Sequence, residues 1–254
     1  LIFGLGMALA GNCGFGALAR LGGGEIRAFV VVVVMGLAAM ATLSGPLARL
    51  RVLLFPPVSD SRPEGGIAEA LAGLLPFTAT QIGLLIGGAA LVLAVYGARE
   101  RAVLWGVPVG LAVASGFAGT AWVAANGFEP VPVASHTFAA PLGETMLYVM
   151  ISSGMGPTLG VGSVLGVLAG AFLGSLRRGV FRWEACDDHR ELRRQIAGAA
   201  MMGVGAVIAM GCSIGQGLSA FATLAWSAPV TLGAIWLGAR LGLRHLIEGR
   251  LLSA

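Results

Sequence analysis

The sequence predicts an all-α, polytopic integral membrane helical bundle with a pseudo-twofold internal repeat and glycine-rich broken or re-entrant helices. Three observations carry that prediction. Hydrophobic residues fill 57% of the 254 positions and charged residues only 11%, with a mean hydropathy of +0.88. Soluble domains carry about 25% charged residues, so too few charges remain here to coat a globule, and a water-soluble enzyme is excluded. The charges also fall between long apolar windows rather than within them. Glycine takes 41 positions, more than twice its ordinary share of about 7%. No Gly-X-Y period or low-complexity tract accounts for the excess, which excludes collagen and disordered linkers.

The elements follow in order from the charge-free windows, which run over 1–19, 28–48, 70–98, 102–128, 145–176 and 195–239. A helix needs about 20 apolar residues to cross a bilayer core, and the last window holds two crossings or one crossing with a re-entrant pair, so roughly six to eight embedded segments are expected. Residues 45–66, with Pro46, Pro56, Pro57 and Pro63, read as an irregular loop, and Arg99–Arg101 as a tight turn. Residues 127–143 hold Gly127, Pro130, Pro132 and Pro141 and no arginine. The 177–194 connection is rich in arginine, which places it in the cytoplasm by the positive-inside rule and the 127–143 loop outside. Asp188 followed by Glu191 marks the start of a helix that continues into the membrane from Ile196. The domain expected is 1–254 as one transmembrane unit, with halves of 1–126 and 127–254. Leu1 opens in the middle of an apolar run without a signal-peptide layout, which reads as a first half lacking its N-terminal part.

Glycine occurs in two patterns. Gly162, Gly166, Gly170 and Gly174 recur every four residues and form one helical face, which predicts close helix packing. Compact clusters interrupt the apolar windows at 11–16, 154–162 and 211–217. Non-helical backbone at membrane depth is tolerated only where protein buries it or it lines a cavity. Broken helices in matching places of two halves point to a transport site.

Setting Cys13 over Cys212 aligns Cys13-Gly14-Phe15-Gly16 with Cys212-Ser213-Ile214-Gly215, each cysteine carrying glycine three residues on. Each is followed by small residues and then a long apolar helix, the layout of a duplication. Ser213 with Gln216 predicts a capping box for the following helix. A helix N-terminus with glycine-freed N–H groups cradles a small anion, and Gly160, Gly162, Gly211 and Gly217 belong to the same breaks. A neutral thiol adds a weak donor and a polarizable acceptor, which suits a sulfur-containing anion held weakly and released. Arg20 is the cation close to one of these loops; it attracts anions or marks the membrane surface. Cys186 lies among charges in the polar connection and reads as non-functional. The cysteines and histidines have no metal-ligand or disulfide spacing, so no metal or cofactor is expected. No basic stripe interleaved with aromatics calls for a nucleic-acid partner.

Residues Arg182-Trp183-Glu184, Leu192-Arg193-Arg194, Gly198 to Gly205 and Gly211 to Ser219 together resemble the C-terminal signature of the YeeE/YedE family, bacterial inner-membrane sulfur transporters that include the thiosulfate permeases. Cys13 to Gly16 with Arg20 and Gly22–Gly24 resembles the family's earlier cysteine loop, and Pro157 to Ser163 its third loop. The resemblance implies an hourglass of helices whose short loops meet at a central constriction, where thiosulfate passes by transient contacts with cysteine thiols. It places Cys13 and Cys212 at two family cysteine positions, matches Cys186 to none, and puts a further cysteine loop upstream of Leu1. Function is then uptake of thiosulfate or a related sulfur anion by a permease that is not an enzyme, with a cytoplasmic TusA-like sulfur-carrier protein as partner. Alternatives are a selenium- or polysulfide-linked permease, a membrane thiol–disulfide redox protein, and a subunit that only recruits the carrier. The redox reading lacks a cysteine pair or an activated thiol, and the recruiting reading leaves the glycine-broken repeat unexplained.

Overall fold

The computed structural model describes residues 1–54, 66–73, 76–97, 102–127, 131–184 and 188–248. It is an all-α membrane bundle; among the described residues the only β-type pairing is an isolated parallel bridge between Glu25 and Glu184. The order is α1 (Ile2–Ala10), α2 (Gly14–Gly22), α3 (Ile26–Leu43), α4 (Ala48–Leu54), α5 (Ile67–Ala72), α6 (Ala79–Gly97), α7 (Ala102–Asn126), α8 (Ala140–Ile151), α9 (Leu159–Arg178) and α10 (His189–Ile208). A π-helical turn, Gly215–Ala220, and α11 (Ser227–Glu248) complete it. Five stretches among the described residues are long and apolar enough to cross a membrane: Ile2–Gly22, Ile26–Leu43, Ala79–Gly97, Trp105–Asn126 and Leu159–Arg178. Helices α10 and α11 pack lengthwise on α1 and carry their charged residues toward one end.

Helix boundaries follow the local chemistry. Asp188 caps α10 as expected, accepting the Arg190 N–H at 2.8 Å. Pro141 sits in the first turn of α8, where its missing N–H is of no consequence. Part of the expected 45–66 loop is helical, because Ala48–Leu54 has a run of residues with good helix propensity before the prolines begin. The Arg99–Arg101 turn and Cys186 lie outside the described residues.

The expectation for the glycine ladder is overturned. A Cβ placed on Gly162, Gly166, Gly170 or Gly174 would meet nothing within 4 Å, so this face of α9 packs against no neighbouring helix among the described residues. Close approach is instead made by glycines of α1 and α10. A Cβ on Gly198 would lie 2.6 Å from both the Gly6 carbonyl oxygen and the Ala10 nitrogen, and one on Gly205 would lie 2.5 Å from the Phe3 nitrogen. Toward the neighbouring α3, a Cβ on Gly203 of α10 would come 2.5 Å from the Met35 oxygen. Without a hydrophobic drive between helices in lipid, such backbone contact supplies the dispersion energy of association. Phe3, Ala10, Met35, Ala199, Met202 and Ala206 fill this seam and are buried.

These contacts fix directions. Phe3 lies beside Gly205 and Ala10 beside Gly198, so α1 runs antiparallel to α10. At one end of the bundle Arg27 pairs with Glu25 and reaches Glu191 at 3.5 Å, and Arg20 lies 3.9 Å from Glu25. Residues 182–184 run along this end: the Ile26 N–H donates to the Glu184 carbonyl at 3.0 Å and the Glu184 N–H to Gly24 at 3.2 Å. Gly24 is required there, since its φ is +102°. The α1–α2 pair therefore runs toward this charged end, and α10 with the turn after it runs away. The two cysteine-broken helices cross the bundle in opposite senses, as in inverted-topology transporter repeats.

Gly198→Val is expected to destabilise the protein by about 1–3 kcal/mol or more by overpacking the α1–α10 seam, while Gly170→Val leaves stability near that of the unsubstituted protein. Thermal unfolding in detergent measures both; equal losses would contradict the assignment of the close contacts.

Candidate functional site

Both cysteines occupy the same local structure. Cys13 is the N-cap of α2, with extended backbone, and its Sγ accepts the Gly16 N–H at 3.4 Å. Cys212 precedes the helical residues 213–222, and its Sγ accepts the Gly215 N–H at 3.4 Å. The residue two before each cysteine is left-handed, Gly11 with φ 77° and Met210 with φ 52°. A left-handed methionine is strained, and such strain clusters at functional sites. The repeat read from Cys and Gly spacing thus extends to the backbone.

The expected capping box at Ser213 and Gln216 is not formed. Cys212 takes the cap, one residue earlier, and the Gln216 N–H donates to the Cys212 carbonyl at 2.8 Å. The Gln216 side chain turns back to the end of α10, where Nε2 donates to the Ala209 and Met210 carbonyls at 3.1 and 3.2 Å. Those two carbonyls lie just past Ile208, the last residue of α10. Gly211 has no Cβ because Gln216 Cγ would lie 3.0 Å from it, and Gly217 faces Leu232 of α11.

The 127–143 connection departs most from expectation. Instead of forming an exterior loop, its residues 135–139 enter the core, where Phe138 and Ala139 are buried. The Phe138 N–H donates to Cys212 Sγ at 3.3 Å, and Thr137 Oγ1 lies 3.6 Å from the same sulfur. The Phe138 ring stacks edge-on against Phe15 with centroids 5.2 Å apart, and its carbonyl lies 3.2 Å from where a Gly14 Cβ would be. Gly215 is bare because a Cβ would lie 2.7 Å from Thr137 Oγ1. One segment without regular structure therefore bridges both cysteine loops. Sequence reasoning missed it; its signal, Ser-His-Thr-Phe between prolines, has the composition of a surface loop.

The third glycine loop joins indirectly. Thr158 caps α9 by accepting the Val161 N–H at 3.3 Å and donates to Glu144 at 3.2 Å. Gly160 packs on Pro141 and Glu144. One turn on, Ser163 Oγ lies 2.7 Å from His136 Nδ1. Beside these residues opens an apolar cavity of about 520 Å³, bounded by Phe15, His136, Phe138, Gly162, Gly166 and Ile214 among others.

Exposure separates the two sulfurs: Cys212 is 2% exposed, Cys13 half-buried. Asn12 Oδ1 and Gln216 Oε1, each close in sequence to a cysteine, are buried without a protein partner among the described residues; they are acceptor positions for water or a protonated group. Arg20 is not beside the cysteines. It lies near the charged end of α2, its side chain 51% exposed, next to Glu25.

A model of the family described as sulphur transport matches residues 1–241. The thiosulfate transporter TsuA of Escherichia coli (strain K12) is 40% identical over 79 residues, which is 31% of this chain and 22% of that protein. The match thus spans about a fifth of the length of that curated relative.

In the full chain with Cys186→Ser, a membrane-permeant alkylating reagent is expected to modify Cys13 at least about tenfold faster than Cys212, since access limits a covered thiol. Gly215→Ala should raise the Cys212 rate by pushing Thr137 away. Mass spectrometry of labelled peptides reads both rates.

Proposed function

The chain belongs to the sulphur transport family, and from that premise we propose that it takes up thiosulfate or a related sulfur-containing anion through the constriction between its two cysteine loops. The observation that carries the reading is the bridge at Phe138: one peptide segment donates to Cys212 and packs on the loop of Cys13. The match to a thiosulfate transporter supports the substrate class.

The proposed roles follow from the chemistry. The N-termini of α2 and of the helix after Cys212 carry the partial positive charge of aligned peptide dipoles, which favours an anion in the absence of a lysine or arginine. Cys13 and Cys212 offer the sulfur contacts. Gly14, Gly16, Gly211, Gly215 and Gly217 keep side chains out of the narrow region, with Ser213 and Gln216 in the same loop and Gly160 and Gly162 on the third. Arg20 meets the anion at the charged end. Since Cys212 is covered by Thr137 and Phe138, the anion meets Cys13 first, and passage requires the 135–139 segment to shift.

The charged end is proposed to face the cytoplasm of a bacterial inner membrane, by the excess of arginine at 177–194. There it would hand sulfur to a TusA-like carrier. The sequence has no Gly-rich ATP-binding motif with its lysine, so the energy is proposed to come from a gradient or from consumption of the product, and the protein to act as a permease rather than an enzyme.

Proteoliposomes holding the full chain are expected to accumulate labelled thiosulfate, with Cys13→Ala and Cys212→Ala each reducing the rate to the level of empty vesicles and Cys186→Ala leaving it unchanged. Selenite and sulfate serve as competitors. Undiminished uptake with both cysteines removed would refute the thiol contacts. A cysteine oxidation state that changes with each turnover would favour the redox reading.

A further inference from the structure

We infer that the open glycine face of α9 and the cavity it leads into hold one anionic phospholipid, its acyl tail against the cysteine loops and its phosphate on Arg177 and Arg178. The lipid is a resident ligand of the fold and depends on no property of the transported anion.

The tail site is the cavity of about 520 Å³ beside the loops. Phe15 and Phe138 wall it on the side of the cysteines, Val109 and Val113 of α7 on another, and Gly162 and Gly166 of α9 on a third. The polar side chains in its wall, His136 and Ser163, are already engaged with each other and with the Ala112 and Leu159 carbonyls. A buried water needs about two to four polar partners, and an apolar cavity without them stays dry. Hydrocarbon fills such a space without that requirement. From Gly166 the face runs on past Gly170 and Gly174, where a Cβ would meet nothing within 4 Å. The opposite side of α9 is the packed one, since a Cβ on Gly22 of α2 would come 2.6 Å from Ala171 Cβ and 2.9 Å from the Leu168 carbonyl. The bare face is therefore turned to lipid. Its length from Gly162 to Gly174 is about 18 Å at about 1.5 Å per residue, and half of a bilayer core, the depth that one tail covers, is about 15 Å.

The headgroup site lies on the same helical row. Residues three and four apart share a face, so Arg177 and Arg178 continue the row beyond Gly174. Both are exposed, and no ion pair among the described residues includes either. Close by, Phe181 stacks edge-on against Phe172 and Trp183, with centroids 5.5 and 5.4 Å apart, and Trp183 is exposed. Exposed tryptophan of this kind settles at headgroup level. The guanidinium fork matches a phosphate, and two such groups at the mouth of an apolar groove suit a phosphodiester with a net negative charge. A second copy of this chain suits the face less. A twofold pair would set both copies of Arg177 and Arg178 near one another, and α9 carries no carboxylate to offset them. Helix α7 also already stands across the cavity from Gly162 and Gly166.

The test is native mass spectrometry of the full chain in detergent, titrated with phosphatidylglycerol or with phosphatidylcholine of the same tails. One phosphatidylglycerol is expected to be retained at least about fivefold more tightly than phosphatidylcholine, as two arginines near the membrane surface provide. Arg177→Gln combined with Arg178→Gln is expected to erase that preference and leave the weaker affinity common to both lipids. Gly166→Leu combined with Gly170→Leu fills the groove and is expected to lower retention of both lipids at least about fivefold. Both glycine positions are open, so this variant should unfold at the temperature of the unsubstituted protein; Gly170→Leu alone replaces it if it does not. Equal retention of the two lipids by the unsubstituted protein, a preference that survives loss of both arginines, or unchanged retention with the groove filled would overturn the lipid site. So would a dimer that the filled groove dissociates, which would assign the face to a second copy. Thiosulfate uptake is read in none of these arms, so the transport reading stands or falls separately.

Discussion

A chain that stops being helical inside a bilayer must find a partner for each backbone N–H and carbonyl it frees, because hydrocarbon offers none. The arrangement around the two cysteines follows from this constraint. Cys13 and Thr158 each satisfy an N–H at the start of the helix they cap, and Cys212 does the same for the Gly215 N–H. Gln216 closes the other side of the break by donating to the Ala209 and Met210 carbonyls just past the end of α10. The Phe138 N–H, in a segment with no regular structure, finds the Cys212 sulfur. The thiols are therefore structural acceptors and, in the reading proposed here, substrate contacts as well. A site that must bind weakly and release is well served by groups already engaged.

Glycine has two unconnected tasks. At the α1–α10 seam it lets backbones touch, and the opposed directions of the cysteine-broken helices are held by that contact. In the loops it removes Cβ atoms where Thr137, Gln216 or Phe138 must stand. The ladder on α9 does neither. Gly162 and Gly166 border the cavity beside the cysteine loops, and Gly170 and Gly174 face open space.

How much of this was legible in the sequence depended on whether the cause was local. Charge-free windows and glycine clusters located the spans and their breaks because bilayer thickness and backbone hydrogen bonding act on contiguous residues. The spacing of Cys13 to Gly16 and Cys212 to Gly215 carried over directly, since the cap bond spans three residues. The capping motif at Ser213 had the right chemistry one residue out of register, because a sulfur acceptor competed with the hydroxyl. The ladder misled because four-residue spacing specifies a face without saying what meets it, whereas the packing glycines sit on facing helices. Residues 135–139 were not legible. What draws them inward is a bond to a residue 74 positions away, and their composition is that of a surface turn.

A membrane interior with so few charges admits an anion only if dipoles and thiols replace its hydration. In the transport reading proposed above, the anion occupies the space at the cysteine loops. The most direct measurement is the alkylation rate of Cys13 in membranes as thiosulfate is added. The rate is expected to fall in a saturable manner with thiosulfate and not with sulfate at equal ionic strength. A rate indifferent to thiosulfate, or lowered equally by both anions, would contradict it.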